Sequence, residues 1–147
     1  MAEEGRILGL DVGDVRTGMA LCDPMRIIAS PFDVLQVTSH REDAEAIRKI
    51  VEENEVVRIV AGLPLNREGG IGPQAEKVLA FLEVLREVVD VEVFTQDERF
   101  STASAERALL QANVRRKGRK KVIDKIAAQQ ILQLYMDRLA SEERRRA

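Results

Sequence analysis

The chain has very little of the residue types that build disulfides, zinc sites and base-stacking surfaces. One cysteine, Cys22, excludes an internal disulfide and suits a reducing compartment, and one histidine excludes a zinc centre built from cysteine and histidine. Tryptophan is absent and aromatic residues make up 3% of the sequence, which argues against a platform that stacks single-stranded bases. The acidic start of the chain has no signal-peptide pattern, and no apolar run is long enough to cross a bilayer. These absences predict a cytoplasmic protein without a membrane partner.

Length and composition predict one domain with a substantial core. The 147 residues are 45% hydrophobic and 33% charged, a balance typical of globular proteins. The net charge is -2, so only local charge patterning can indicate a nucleic-acid partner. We expect a single domain over residues 1–147, with a frayed basic tail from about residue 142.

The apolar periodicity changes along the chain from the period of strands to that of helices. The predicted strands cover residues 6–12, 17–22, 26–36, 56–62 and 91–96, and the predicted helices cover 42–54, a segment from Pro73, 101–113 and 122–142. Pro31 marks the third strand as an interrupted or edge strand, and Ser101 suits a helix N-cap. Short turns join the first three strands, whereas the later strands need right-handed helical crossovers. The predicted fold is α/β, a mixed five-stranded sheet of three antiparallel strands followed by parallel ones, with helices packed on it.

Asp11 is the most informative residue, because it ends an apolar run that is typical of a buried strand and precedes a turn. Strand alternation places it on one face with Ile7 and Gly9. A carboxylate there is costly unless a metal or a hydrogen-bonding loop compensates it. Asp11 is therefore a candidate metal ligand; the alternative is a strand-end aspartate that caps the turn over residues 13–18.

Asp124 lies within the apolar stripe of the last predicted helix. Helical spacing aligns it with Ala128, Ile131 and Tyr135, so its carboxylate is expected to face the core side. The alternative is an ordinary acid in the first turn, favoured by the helix dipole. The dipole explains an acid near the helix start but not its position on the apolar face, so we interpret Asp124 as a second candidate ligand.

Asp97 and Glu98 end the last predicted strand. Alternation puts one acid on each face, and periodicity does not choose between them; turn acids paired with Arg99 are the alternative. We expect the first and last strands near the sheet centre, where their carboxyl ends would bring an acid beside Asp11. Converging carboxylates repel one another unless cations bind between them, and oxygen ligands suit Mg²⁺ or Mn²⁺. Two such ions could activate a water against a phosphodiester.

A run of positive charge comes directly before the helix that carries Asp124. It consists of Arg115, Arg116, Lys117, Arg119, Lys120 and Lys121, interrupted by one glycine. Cations there would draw a phosphate backbone toward the acids, in a contact that weakens with salt. The alternative is a solvated connecting loop. Residues 62–66 form a further loop that either approaches the substrate or simply connects strand to helix.

Four segments in this order resemble the YqgF/RuvX family, RNase H-like proteins described as Holliday-junction-resolvase-like and as nucleases of pre-16S ribosomal RNA. They are Gly9-Leu10-Asp11-Val12-Gly13 with Arg16 and Gly18, Gly62-Leu63-Pro64-Leu65-Asn66, Asp97-Glu98-Arg99 with Ser101 and Thr102, and Ile123-Asp124 with Ala127, Ala128 and residues 131–133. The resemblance implies an RNase H-like fold and a metal-dependent nuclease site. The resemblance also implies that Asp11, Glu98 and Asp124 are the metal ligands, with Glu98 rather than Asp97 as the ligand on the last strand.

The leading hypothesis is a Mg²⁺- or Mn²⁺-dependent nuclease that processes the 5′ end of pre-16S ribosomal RNA, as a monomer or weak homodimer. Its phosphate contacts would come from Arg16, Arg99 and the basic run over 115–121. The alternatives are a Holliday-junction-type DNA resolvase acting on branched DNA and a non-catalytic RNA-binding factor of ribosome assembly. An ATP-handling protein is a further alternative, because Asp-x-Gly followed by a turn and Gly18 also resembles the first phosphate loop of the actin, chaperone and sugar-kinase group. Those proteins use two such domains.

Overall fold

A computed structural model describes residues 5–98 and 117–146 of the chain, and the side chains of all of these except 117–122 and 146. The predicted helix over 101–113, with Ser101 as its N-cap, lies outside the described residues. The described residues form the elements β1 (Arg6–Asp11), β2 (Arg16–Cys22), β3 (Ala29–Gln36), α1 (His40–Glu53), β4 (Val56–Leu63), α2 (Pro73–Val88), β5 (Glu92–Asp97) and α3 (Lys117–Arg146). Within these residues, no helix combines the length and apolarity needed to cross a bilayer.

The five strands form one mixed sheet in the order β3-β2-β1-β4-β5. β1 pairs antiparallel with β2 and parallel with β4, and β5 pairs parallel with β4. This confirms the predicted α/β sheet and puts β1 at its centre. The prediction that the last strand is also central was wrong, because β5 forms an edge of the described sheet. Local periodicity identifies strands, but it does not report their order.

β3 is an edge strand, as Pro31 predicted. Met19 pairs with Asp33 and Ala20 with Pro31, so the ladder is irregular where the proline cannot donate a hydrogen bond. The strand begins at Ala29 rather than at residue 26. Residues 24–28 instead wrap around the Asp23 carboxylate, which accepts backbone hydrogen bonds.

Helices cover both faces of the sheet, so the core has two parts. Helices α1 and α2 pack with Leu8 and Leu10 of β1 on one face. α3 packs on the other face, where Ile7 meets Leu132. Each fully buried leucine or isoleucine contributes roughly 1.5–3 kcal/mol. The alternation of β1 therefore determines which helix each of its side chains meets, and the odd-numbered residues face α3.

α3 is longer at both ends than its apolar stripe predicted. Residues 117–121 belong to the helix, not to a connecting loop, and residues 142–146 continue it where the sequence suggested a frayed tail. Lysine, arginine, glutamate and alanine are all good helix formers, so both charged segments extend the helix. Gly118 costs only about 1 kcal/mol in a helix. The side chains of Gln129 and Gln133 bond to the backbone of Ala29 and so attach the middle of α3 to β3.

Candidate active site

Asp11 is the last residue of the central strand and is only 8% exposed. It lies on the α3 face of the sheet, two steps beyond Gly9, whose missing side chain leaves room for Leu132. The predicted direction of this carboxylate is therefore the observed one. Asp11 engages in further polar contacts within the protein, so its burial is accompanied by partners.

The absence of a side chain at Gly18 allows the backbone of Asp124 to lie beside the strand pair that carries Asp11. Gly18 is the direct partner of Asp11 in the antiparallel β1–β2 ladder. A Cβ at position 18 would collide with the backbone carbonyl of Asp124. Only glycine allows α3 to lie this close to β2. The backbone of Asp124 consequently rests on the strand pair that carries Asp11.

The structure shows which of Asp97 and Glu98 faces the same side of the sheet as Asp11. Alternation in the sequence did not decide this. Phe94 of β5 packs with the α3-side cluster, and Glu98 lies four residues further on, on the same face. Glu98 is 6% exposed, and its backbone N–H donates to the Leu63 carbonyl at 3.2 Å, which prolongs the pairing with β4. Asp97 points to the opposite face. Geometry thus favours Glu98, in agreement with what the family resemblance implied.

Asp11, Glu98 and Asp124 line a single cavity of about 300 Å³ at the carboxyl ends of β1, β4 and β5. The remaining lining residues are Val12, Gly13, Asp14, Val15, Arg16, Pro64 and Gln74. Asp14 and Gln74 were not predicted to belong to the site. The position of Asp14 offered a signal, since it follows the carboxyl end of β1, where α/β sheets place their sites, whereas Gln74 lies in the first turn of α2. Asp14 is largely exposed and pairs with Lys77 at 3.5 Å.

Arg16 forms an ion pair with Asp124 inside this cavity. Its Nε donates to Oδ2 of Asp124 across 2.9 Å, and the two side chains are 25% and 15% exposed. Arg16 was predicted to bind nucleic acid and Asp124 to bind a metal ion, and the contact between them was not predicted. The guanidinium compensates part of the negative charge that the three acids concentrate here.

The donor set fits a hard divalent cation in kind. Carboxylate oxygens are the ligands that Mg²⁺ and Mn²⁺ prefer, and three of them share one cavity. The three carboxylates do not form a ready-made ion site: among the described residues, no group of three acidic, histidine or cysteine side chains is arranged to share one ion. A cation would therefore draw the carboxylates closer together than they lie here.

The basic run lies partly at the start of α3. Lys117, Arg119, Lys120 and Lys121 occupy its first turns, with Asp124 one turn further along the same helix. Arg99, Arg115 and Arg116 lie outside the described residues. This concentration of positive charge attracts phosphate.

Neither Cys22 nor His40 lines the cavity that the three acids share. Cys22 is buried and its Sγ accepts a hydrogen bond from the Ile7 backbone at 3.1 Å. Burial raises the pKa of this thiol, which is typical of a structural rather than a reactive cysteine. His40 opens α1 and packs edge-on against the Phe81 ring, 5.6 Å between centroids.

Comparison with known proteins supports this architecture. A protein described as "Putative pre-16S rRNA nuclease" from Clostridium botulinum is 45% identical over 135 residues, which is 92% of this chain and 98% of that protein. The protein of the same description from Desulforamulus reducens is 48% identical, covering 90% of this chain and 96% of that one. Both relatives therefore match this chain over nearly their whole length.

Two solved structures share the fold at low sequence identity. Thermus thermophilus RuvC in complex with a Holliday junction substrate superposes with a TM-score of 0.54 at 12% identity, covering 92% of this chain and 96% of that one. Fowlpox virus resolvase in complex with Holliday junction DNA gives 0.54 at 10% identity, covering 91% and 98%. These likenesses support the RNase H-like fold. The family described as "RuvX: Holliday junction resolvase" matches residues 5–138, and the chain belongs to that family.

Proposed function

We propose that this chain is a cytoplasmic, divalent-metal-dependent phosphodiester hydrolase that processes the 5′ end of pre-16S ribosomal RNA. The observation that carries the proposal is the convergence of Asp11, Glu98 and Asp124 on one cavity, although they are remote in sequence. The choice of substrate rests on relatives that match nearly the whole chain and are described as acting on this RNA.

The three carboxylates would hold the metal ions, and each is supplied by a different element. Asp11 is fixed by the central strand, Glu98 by the backbone bond that prolongs β5, and Asp124 by the packing of α3 on Gly18. Two bound ions would supply an activated water and stabilise the leaving oxygen of the phosphodiester. Asp11 and Glu98 are both buried, which keeps their carboxylates in position and limits their access to solvent.

The basic start of α3 would bind the phosphate backbone next to the acids. Lys117, Arg119, Lys120 and Lys121 belong to the same helix as Asp124, so a bound strand would be led toward the cavity. We include Arg99, Arg115 and Arg116 in this surface on sequence grounds alone. Such contacts hold any nucleic acid, so they do not by themselves select RNA.

A DNA junction resolvase is the second candidate, because the matching family is described as a Holliday junction resolvase. Competition between a four-way DNA junction and a precursor RNA would separate the two. An RNA enzyme exploits helix shape and 2′-hydroxyls, so we expect the precursor to displace the junction. Preferential cleavage of the junction would instead favour the resolvase.

The direct test compares Asp11→Asn with Asp14→Asn on a precursor that carries the unprocessed 5′ end, with Mg²⁺. Both residues line the cavity, but Asp14 lies in an exposed turn and pairs with Lys77. We expect Asp11→Asn to lower cleavage by at least about 100-fold and Asp14→Asn to lower it by only a few-fold. Equal cleavage by Asp11→Asn and the unmodified protein would exclude the metal-ligand role. RNA binding without turnover under any metal would indicate a non-catalytic assembly factor.

A further inference from the structure

The Arg16–Asp124 ion pair occupies a carboxylate oxygen that the proposed metal site needs. Arg16 Nε donates to Oδ2 of Asp124 at 2.9 Å, across 108 residues of sequence. Both side chains are mostly withdrawn from solvent, so salt screens this pair less than a surface ion pair. A fixed protein cation thus lies where a divalent cation would also bind.

The three acids share a cavity, but within the described residues they are not arranged to hold one ion together. In this arrangement Asp124 is held by Arg16. A metal ion that binds Oδ2 competes with the guanidinium for this oxygen and is repelled by its positive charge. Arginine is suited to exchange this oxygen for a phosphate, because its fork of donors binds a phosphate at two points. Arg16 lines the same cavity in which the substrate phosphate would lie.

We propose that Arg16 is a positioning residue that exchanges Asp124 for a substrate phosphate, so that nucleic-acid binding and metal binding strengthen each other. The inference rests on the proposed function, since it requires a metal at the acids. Without substrate, the guanidinium competes with the cation for Asp124. With a phosphate present, Arg16 binds the phosphate and leaves the carboxylate to the cation. Linkage makes the effect reciprocal.

If Arg16 only orients Asp124, removing Arg16 should change the metal affinity in the opposite direction. If Arg16 kept its bond to Oδ2 while the metal bound Oδ1, it would hold the ligand in place, and its removal would weaken metal binding. The change in metal affinity on removing Arg16 therefore distinguishes exchange from simple support.

The first measurement is Mn²⁺ affinity by calorimetry, without nucleic acid. We expect Arg16→Gln to bind Mn²⁺ about tenfold more tightly than the unmodified protein. Lys77→Gln is the matched control: it removes the same charge from the nearby Asp14–Lys77 pair without touching any of the three acids, and it should change the affinity less than about twofold. Arg16→Lys keeps the charge but loses the fork geometry, so we expect an increase of about threefold. This variant tests the proposal if Arg16→Gln does not fold.

The second measurement is the affinity for a hydrolysis-resistant phosphorothioate RNA hairpin, by fluorescence anisotropy with and without Mn²⁺. Mn²⁺ should strengthen binding about tenfold in the unmodified protein and only about twofold in Arg16→Gln. A metal site that Arg16 merely supports would not produce this loss of coupling together with tighter Mn²⁺ binding.

Failure of this inference and failure of the proposed function are distinguishable through Asp11→Asn. If Asp11→Asn removes Mn²⁺ binding while Arg16→Gln leaves it unchanged or weaker, the metal site stands and the exchange by Arg16 is wrong. If Asp11→Asn leaves Mn²⁺ binding intact, the metal site is not at these acids and both proposals are wrong.

Discussion

The missing side chain of Gly62 provides the space that the Glu98 carboxyl group fills. A Cβ at position 62 would lie 2.7 Å from Cδ of Glu98 and 2.6 Å from Cδ1 of Ile131. Both contacts are shorter than van der Waals distance, and both involve the far ends of flexible side chains. The strand beside β1 is thus shaped to admit one particular carboxylate.

Gly62→Ala should therefore impair the site more than the fold. The added methyl group pushes the Glu98 carboxylate and the Ile131 methyl group aside, at a cost of about 1–3 kcal/mol in unfolding free energy. Displacing this proposed metal ligand should lower Mg²⁺-dependent RNA cleavage by about 10–100-fold. Gly72→Ala is the control, because a Cβ there meets nothing within 4 Å. Full activity in a folded Gly62→Ala protein would show that Glu98 need not occupy this space.

The basic start of α3 should contribute to nucleic-acid affinity through counterion release. We expect Lys120→Gln with Lys121→Gln to reduce the slope of log affinity against log salt by about 2, roughly 0.9 for each lost phosphate contact on a duplex. The control is Arg144→Gln with Arg145→Gln, which makes the same charge change at exposed positions about 36 Å away along the helix. Equal slopes for the two double variants would mean that the start of α3 does not contact phosphate.

Asp23 should make the free energy of unfolding depend on pH under acidic conditions. Its carboxylate accepts backbone hydrogen bonds, chiefly from Ile28 and also from Ile27 and Met25, and these lower its pKa below the usual value of 3.8. A lowered folded-state pKa stabilises the protein above the unfolded pKa, and the stabilisation is lost as the pH falls through the folded pKa. The site is exposed to solvent, so we expect Asp23→Asn to cost only about 0.5–1 kcal/mol at pH 7.

The difference in unfolding free energy between Asp23→Asn and the unmodified protein should shrink as the pH falls below the ordinary pKa of 3.8, as measured by urea unfolding. Asp90→Asn removes the same charge at an exposed position and should have a smaller effect at pH 7. A difference between Asp23→Asn and the unmodified protein that stays constant from pH 7 to pH 2 would contradict this role of the carboxylate.

The sequence predicted those features that depend on local periodicity. Alternation in β1 gave the direction of Asp11, and the 3.6-residue stripe gave the inward face of Asp124. Strand order, by contrast, is a property of the whole sheet, so the edge position of β5 was not predicted. The choice between Asp97 and Glu98 depends on where pairing with β4 stops, which is set by one backbone bond to Leu63.

Contacts between distant segments were the least predictable part of the site. Arg16 and Asp124 are 108 residues apart, and nothing in the local pattern of either indicates the other. The apolar stripe predicts a helix from residue 122 and leaves the basic run over 115–121 outside it, yet the backbone of residues 117–121 is helical. Helix propensity, rather than amphipathicity, extends α3 through that segment.

The basic residues and Asp124 lie on one helix, which fixes the spacing between them. A helix rises 1.5 Å per residue, so the seven backbone steps from Lys117 to Asp124 span about 10 Å. Under the proposed function, a phosphate bound at the start of the helix would therefore lie at a constant offset from the acids. Such an offset would align the nucleic-acid strand by its backbone, without any contact to bases.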